Sequence, residues 1–217
     1  MTAIEGARTT RRRAETRRRL IEAAREVFNQ HGIRDAPVEA ICDRAGFSRG
    51  AFYSNFDSKE DLFLAVYESE MGARTQRLRI AVDRAADRVH ATGQDAVIEL
   101  VGQAAELFMT TLVADEQWYL LVAEFRAQAL RQPELRGPTA AAETRFHRGL
   151  GEIMAALLDR LGMRLTVAPE DLVQVVVALY ETMLTRALLD GAADRTHDRY
   201  LTRILPQLLT GMIASNE

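Results

Sequence analysis

The chain has 217 residues, of which 47% are hydrophobic and 27% are charged, as expected for a globular protein of one large or two small domains. Its apolar runs do not exceed six residues, and its first twenty residues contain seven arginines and no apolar stretch, so we expect neither a membrane span nor a signal peptide. Its single cysteine, Cys42, excludes an internal disulfide and a multi-cysteine metal site.

Charge is distributed unevenly along the chain. The net charge is −3, yet the first 50 residues carry eleven arginines against seven acidic residues, which leaves −7 on the remainder. This asymmetry predicts a basic head on a larger acidic body. We assign residues 1–13 to a basic N-terminal arm, which either contacts nucleic acid or only keeps the protein solvated.

The hydrophobic pattern has a helical period almost throughout the chain. Gly32 is the predicted C-cap of the first helix. The apolar face of that helix comprises Leu20, Ile21, Ala24, Val27 and Phe28. A second, short helix begins at Pro37, since proline suits a first turn, and Gly46 ends it. Ser48 is a good N-cap for a third short helix over residues 49–55.

Long helices with polar breaks follow. We place these helices at 58–89, 95–113, 116–131, 139–161, 169–189 and 194–214. The breaks are 90–94, 133–138, 162–168 and 191–193, and Pro206 is expected to kink the last helix. No segment alternates with a period of two. The predicted fold class is therefore all-α with about nine helices, in which a three-helix N-terminal domain precedes a larger helical C-terminal domain.

The second and third helices have the spacing of a helix-turn-helix, because a short turn that contains glycine joins them. Phe52 and Phe56 share one face of the third helix, and we expect them to pack inward. The outward residues are then Ser48, Arg49, Gly50, Tyr53 and Asn55. Small residues in its first turn would let this helix approach a groove floor, where its free N–H groups favour phosphate. Geometry alone leaves open a cluster that only packs.

The residues of this segment are more specific than its geometry. Residues 41–62, ICDRAGFSRGAFYSNFDSKEDL, closely resemble the DNA-binding signature of TetR-family transcriptional regulators, and FNQHG at 28–32 fits as well. The resemblance is specific over roughly residues 14–66. It implies a homodimer whose recognition helices enter successive major grooves of a pseudo-palindromic operator. It also implies a DNA-binding domain at 14–57 and an effector-binding and dimerisation domain at 58–217, in which a bound effector causes release from DNA.

The resemblance also implies roles for individual residues. The turn that reads bases and backbone would comprise Ser48, Arg49, Gly50 and Ala51. Phosphate contacts would come from Tyr53, Asn55 and Lys59. Arg49 is the best candidate for direct readout, because a guanidinium can bridge O6 and N7 of guanine. The chain departs from the family at Ala36 and Pro37, where hydroxyl residues are common. The arm arginines that could replace that phosphate contact, or simply remain solvated, are Arg12, Arg13 and Arg17.

The last two predicted helices are too apolar for the surface of a monomer. A helix that is apolar on nearly every side is buried in a large core or shared with a partner. The resemblance favours a four-helix bundle across a two-fold axis, and a purely intramolecular core is the alternative. The predicted dimer-interface residues are Val176, Tyr180, Met183, Leu201, Leu205, Leu208 and Met212.

The middle helices carry candidates for an effector pocket, although aromatic residues at helical spacing also form ordinary cores. The candidates are Phe108, Met109, Trp118, Tyr119, Val122, Phe125, Phe146, His147 and Glu181. Glu181 interrupts an apolar run, and a carboxylate there must face a cavity, a basic partner or solvent, because burying it unpaired is costly. Glu124 is a weaker candidate of the same kind. We expect a mostly apolar small molecule as the effector.

An enzyme is not expected. The four histidines share no metal-ligand spacing, and the chain has no glycine-rich phosphate loop, so we assign no catalytic residue, metal or cofactor. The predicted protein is a cytoplasmic TetR-like repressor that binds its operator as a homodimer and is released by a small effector. The alternative is a constitutive or architectural DNA-binding protein whose C-terminal domain only dimerises.

Overall fold

The structure is a computed structural model that describes residues 2–86, 116–190 and 204–215. The elements in these ranges are almost all helical, as the sequence predicts. The helices are α1 (Thr2–Asp35), α2 (Val38–Ala45), α3 (Arg49–Tyr53), α4 (Lys59–Ala86), α5 (Glu116–Arg131), α6 (Pro133–Arg160), α7 (Pro169–Asp190) and α8 (Leu205–Gly211). The two strands are β1 (Met163–Leu165) and β2 (Ile213–Ser215).

Several element bounds differ from the prediction. Helix α1 begins at Thr2, so the segment predicted as an arm is helical from residue 2 onward. Helix α6 begins at Pro133, so the predicted break at 133–138 is wrong. Pro133 occupies the first helical position, where no N–H is needed, and Pro138 follows only five residues later. Pro206 lies in the first turn of α8, where it requires no kink.

The prediction that the chain has no strand is also wrong. Strands β1 and β2 form an antiparallel pair in which Met163 faces Ser215 and Leu165 faces Ile213. The predicted last helix therefore ends before Ile213. The predicted helix at 95–113 and the breaks at 90–94 and 191–193 lie outside the described residues.

The described residues form two compact units, and α4 and α6 contribute to both. Unit 1 contains the described residues of Met1–Met71 and Asp115–Ala142. Its core side chains include Phe28, Phe52, Phe56 and Phe63, each no more than 1% exposed. Helix α5 belongs to this unit because the Phe125 ring lies 4.7 Å from that of Phe63.

Unit 2 contains the described residues of Gly72–Ala114 and Glu143–Glu217. Its core is an apolar cluster drawn from α4, α6, α7 and α8. The buried members are Leu78, Val82, Leu150, Ile153, Leu157, Leu172, Val173, Val176, Met183 and Leu209. Gly151 allows α6 to approach the start of α7 closely, since a Cβ there would lie 2.9 Å from the Cβ of Pro169.

Helix α7 is more apolar than we expect for a chain whose apolar runs do not exceed six residues. Among the described helices it alone is long and apolar enough to cross a membrane by length and composition, with a mean hydropathy of 1.5 over 18 residues. One of its faces, which includes Leu172 and Met183, lies in the core of unit 2. Its exposed face carries Val175 and Leu189, which are 47% and 80% exposed.

Candidate nucleic-acid interface

The turn between α2 and α3 is built as the sequence predicts. Gly46 adopts a left-handed conformation, with φ 72° and ψ 37°, and ends α2. The N–H of Phe47 then donates to the Cys42 carbonyl at 2.9 Å. Ser48 is the N-cap of α3, and its Oγ accepts from the N–H of Ala51 at 3.2 Å. These contacts fix the angle at which α3 leaves the turn.

Helix α3 has a buried side and an exposed side. Phe52 of α3 and Phe56 just beyond it are almost completely buried, with ring centroids 6.1 Å apart, which confirms that they pack inward. The helix itself ends at Tyr53 and not at the predicted residue 55. Among the residues predicted to contact DNA from the turn and from α3, the exposed ones are Ser48, Arg49, Gly50 and Tyr53. Ala51 is half-buried, and so is Asn55, whose Nδ2 donates to the Ala51 carbonyl at 2.8 Å. The exposed set is therefore a polar strip with two small residues and one guanidinium.

Arg49 has two side-chain partners within unit 1. Its Nη1 lies 2.5 Å from Oε1 of Glu39, in the first turn of α2, and its Nη2 lies 3.4 Å from the Tyr53 hydroxyl. The Tyr53 hydroxyl and the Glu39 carboxylate both raise the pKa of Arg49 above its ordinary value. Arg49 therefore carries its charge at the exposed start of α3.

Cys42 occupies the inner face of α2. It is 3% exposed, and burial raises the pKa of its thiol. A buried, protonated thiol is a poor nucleophile, so Cys42 is a small core residue.

Two arginines of α1 reach the C-terminal end of α3. Arg17 donates from Nη1 to the Asn55 carbonyl at 2.8 Å, and its guanidinium carbon lies 4.1 Å from the centroid of the Phe56 ring. Arg13 donates from Nη2 to the Ser54 carbonyl at 3.3 Å. The last carbonyls of a helix have no partner within it and attract cations. Both arginines thus hold the C-terminal end of α3 in place, whereas Arg12 is exposed.

Lys59 and Glu124 both hold the junction between α1 and α2. Lys59, at the start of α4, donates to the carbonyls of Arg34 and Ala36 at 2.5 and 3.0 Å. The carboxylate of Glu124, on α5, accepts from the N–H groups of Ile33 and Arg34 at 3.1 and 2.9 Å. Sequence reasoning missed both roles, because the backbone groups that Lys59 and Glu124 bind lie at least 23 residues away in the sequence.

The comparisons with known proteins agree with this geometry. The family described as "Bacterial regulatory proteins, tetR family" matches residues 20–66, from α1 into α4. The HTH-type transcriptional regulator UidR of Escherichia coli K12 is 28% identical over 134 residues, which cover 56% of this chain and 68% of UidR. Residues 20–66 of the chain are therefore those of a TetR-family transcriptional regulator.

Solved structures share the fold of this regulator. A TetR-family protein from Mesorhizobium loti superposes with a TM-score of 0.68 at 21% identity, covering 92% of this chain and 96% of that one. The multidrug binding protein EbrR, solved in complex with proflavin, gives a TM-score of 0.55 at 21% identity and covers 90% and 98%. At these identities the likeness concerns the fold.

The predicted effector residues are distributed over both units of the regulator. Trp118, Val122 and Phe125 are buried in unit 1, where the Trp118 ring stacks 6.0 Å from Phe63. Tyr119, on the same helix, is half-buried. The candidates in unit 2 are Phe146, His147 and Glu181, all half-buried. Phe108 and Met109 lie outside the described residues. Glu124, the weaker candidate, instead binds the backbone of α1.

The predicted dimer residues of the regulator also differ in exposure. Val176 and Met183 are buried in the core of unit 2, and Tyr180 and Met212 pack against that core. Leu208 is 37% exposed. Leu201 lies outside the described residues, as does the side chain of Leu205. A depression of about 420 Å³ on the outer side of α7 is lined by Thr182, Thr185, Arg186, Leu189 and Asp190.

Proposed function

We propose that this regulator is a cytoplasmic repressor that binds a pseudo-palindromic operator as a homodimer and inserts α3 into the major groove. The observation that carries the proposal is the exposed polar strip of α3, which lies over a buried aromatic side and is held at both ends. Ser48 caps its start, and Arg17 binds the carbonyl at its far end. A recognition helix must be fixed in this way if its side chains are to meet base edges in register.

Residues of the strip and of the segments around it have proposed roles. Arg49 reads guanine, and the small Gly50 and Ala51 allow the backbone to approach the groove. Tyr53 and Asn55 contact phosphate, as does Lys59. Arg12 and Arg13 extend the positive surface along α1. Arg17 contributes by fixing the end of α3, since its guanidinium already binds the Asn55 carbonyl.

The proposed dimer uses the outer face of α7. Val175 and Leu189 are exposed there, and Ala178 and Thr182 lie between them on the same side of the helix. These positions recur at the spacing of one helical face, and an exposed apolar face of this length suits a second copy of the same helix. A charge at Val175 is a cleaner test than one at Val176, which lies in the core of its own subunit.

The proposed effector is a small, mostly apolar molecule that binds the domain at 58–217 and weakens DNA binding. The basic arm at 1–13 and the DNA-binding domain at 14–57 complete the proposed organisation. The proflavin complex of EbrR supports a ligand of this chemistry. A preference of about 1.4–2.8 kcal/mol for the conformation that does not fit DNA would weaken binding ten- to a hundredfold.

Selection from a pool of duplexes with a randomised 30-base-pair core tests the DNA-binding proposal. The full-length protein should enrich a two-fold symmetric sequence with half-sites about one helical turn apart. Arg49→Ala should weaken binding to the enriched duplex roughly ten- to a hundredfold and relax one base position per half-site. Arg164→Ala, which removes an exposed arginine from unit 2, is the matched control and should bind as wild type. An equal loss for Arg49→Ala on enriched and shuffled duplexes contradicts direct readout.

Sedimentation tests the proposed dimer, and ligand titration tests the proposed effector binding. Val175→Glu should shift the protein from dimer to monomer and abolish binding to the symmetric duplex. Proflavin, added to the protein without DNA, should quench the fluorescence of Trp118 or show a change in the fluorescence anisotropy of the dye.

The burial of Trp118, Val122 and Phe125 in the core of unit 1 favours the alternative, a DNA-binding protein whose C-terminal domain only dimerises. A dimer that binds the duplex but not proflavin would support that alternative.

A further inference from the structure

Glu39 stands beside the proposed base-reading residue. It lies in the first turn of α2, and Arg49 is the first residue of α3. Their Oε1 and Nη1 atoms are 2.5 Å apart, and their side chains are 56% and 59% exposed. The pair is therefore accessible from the same side as the polar strip of α3, and any DNA that reaches Arg49 also meets the Glu39 carboxylate.

The guanidinium of Arg49 is positioned from two sides. Glu39 engages Nη1, while the Tyr53 hydroxyl lies 3.4 Å from Nη2 and the Tyr53 ring centroid lies 5.8 Å from the guanidinium carbon. An arginine side chain has five N–H donors. The contact with Glu39 therefore leaves donors for a base edge while it limits where the guanidinium can point.

We propose that Glu39 is a specificity-determining residue, which holds Arg49 for guanine and disfavours its use on phosphate. The inference rests on the proposed DNA-binding function of α3. Phosphate attracts any arginine regardless of sequence. A phosphate bound by Arg49 would either displace the Glu39 carboxylate or lie close to it, and like charges repel. Guanine O6 and N7 are neutral acceptors, so Arg49 can bind them while it keeps Glu39.

The expected size of the effect follows from the exposure of the pair. An exposed ion pair corresponds to a factor of about two to five in an equilibrium constant. A homodimer contains the pair twice, so the factor is squared if both half-sites are engaged. We therefore expect loss of Glu39 to lower the ratio of specific to non-specific binding by about four- to twenty-five-fold.

Glu39→Gln in the full-length protein tests the proposal, because it removes the charge and keeps the size of the side chain. The probes are the duplex enriched by the wild-type protein and a shuffled duplex of the same composition. The Glu39→Gln variant should bind the shuffled duplex more tightly than the wild-type protein does. Its affinity for the enriched duplex should rise by a smaller factor. Asp43→Asn removes a negative charge from the exposed side of the same helix and is the matched control. It should change both affinities by the same factor.

The same substitution in an Arg49→Ala background shows whether Glu39 acts through Arg49. In that background Glu39→Gln should leave the ratio of the two affinities unchanged. An unchanged ratio for the single variant, or an equal effect with and without Arg49, overturns the proposal while the DNA-binding function stands. If the wild-type protein enriches no duplex, the proposed function is wrong, and the role of Glu39 is wrong with it.

Discussion

Replacement of Glu124 tests how α5 is attached to the DNA-binding segment of unit 1. Gly32, at φ 73° and ψ 175°, interrupts α1, and the N–H groups that follow begin a new turn. First-turn N–H groups have no partner within their own helix. The Glu124 carboxylate accepts from two of them, those of Ile33 and Arg34. Glu124→Ala removes both acceptors beside the fully buried side chain of Ile33.

The magnitude follows from the two hydrogen bonds. A hydrogen bond to a charged group contributes about 1.5–3 kcal/mol. The bond to Ile33 is only partly buried and the bond to Arg34 is exposed, so water replaces part of what is lost. We therefore expect Glu124→Ala to lower the free energy of unfolding by about the value of one such bond, roughly 1.5–3 kcal/mol. Glu124→Gln keeps one carbonyl oxygen and should lose about half as much.

Urea unfolding followed by Trp118 emission measures this change. Trp118 is the only tryptophan in the chain, is 6% exposed and lies on the same helix as Glu124. Glu116→Ala, at the exposed start of that helix, should stay within about 0.5 kcal/mol of wild type. If Glu124→Ala also stays within that range and hydrogen exchange of the Ile33 and Arg34 amides is unchanged, the two hydrogen bonds do not stabilise the junction.

Four further substitutions test other parts of the structure. Gly32→Ala should lower the free energy of unfolding in the same urea assay by about 1–3 kcal/mol, since the φ and ψ of Gly32 suit only glycine. Gly72→Ala, on the exposed side of α4, should instead raise it by about 0.5–1 kcal/mol. Gly151→Ala should lower the melting temperature because its Cβ would overlap Pro169, and an unchanged melting temperature contradicts that contact. Arg17→Met should weaken DNA binding without changing its salt dependence, because its guanidinium binds a carbonyl at the end of α3. A salt slope reduced by about one would instead identify Arg17 as a phosphate contact.

The sequence by itself determined the features of this protein that depend on neighbouring residues. The left-handed Gly46 and the Ser48 cap are set by residues within four positions, and both are as predicted. The bounds of α5 were also predicted correctly, since its apolar period and its polar flanks lie within one segment. The inward orientation of Phe52 on α3 and of Phe56 just beyond it follows from their spacing alone.

Tertiary structure decided what depends on partners far away in the sequence. Strand β1 exists because β2, about 50 residues further along the chain, pairs with it, and no local sequence pattern predicts that pairing. Trp118 is a core residue because Phe63 and Tyr67 of α4 stack against it. Glu124 binds the backbone of Ile33, 91 residues away, because Gly32 breaks α1 and leaves donors that only a side chain can satisfy.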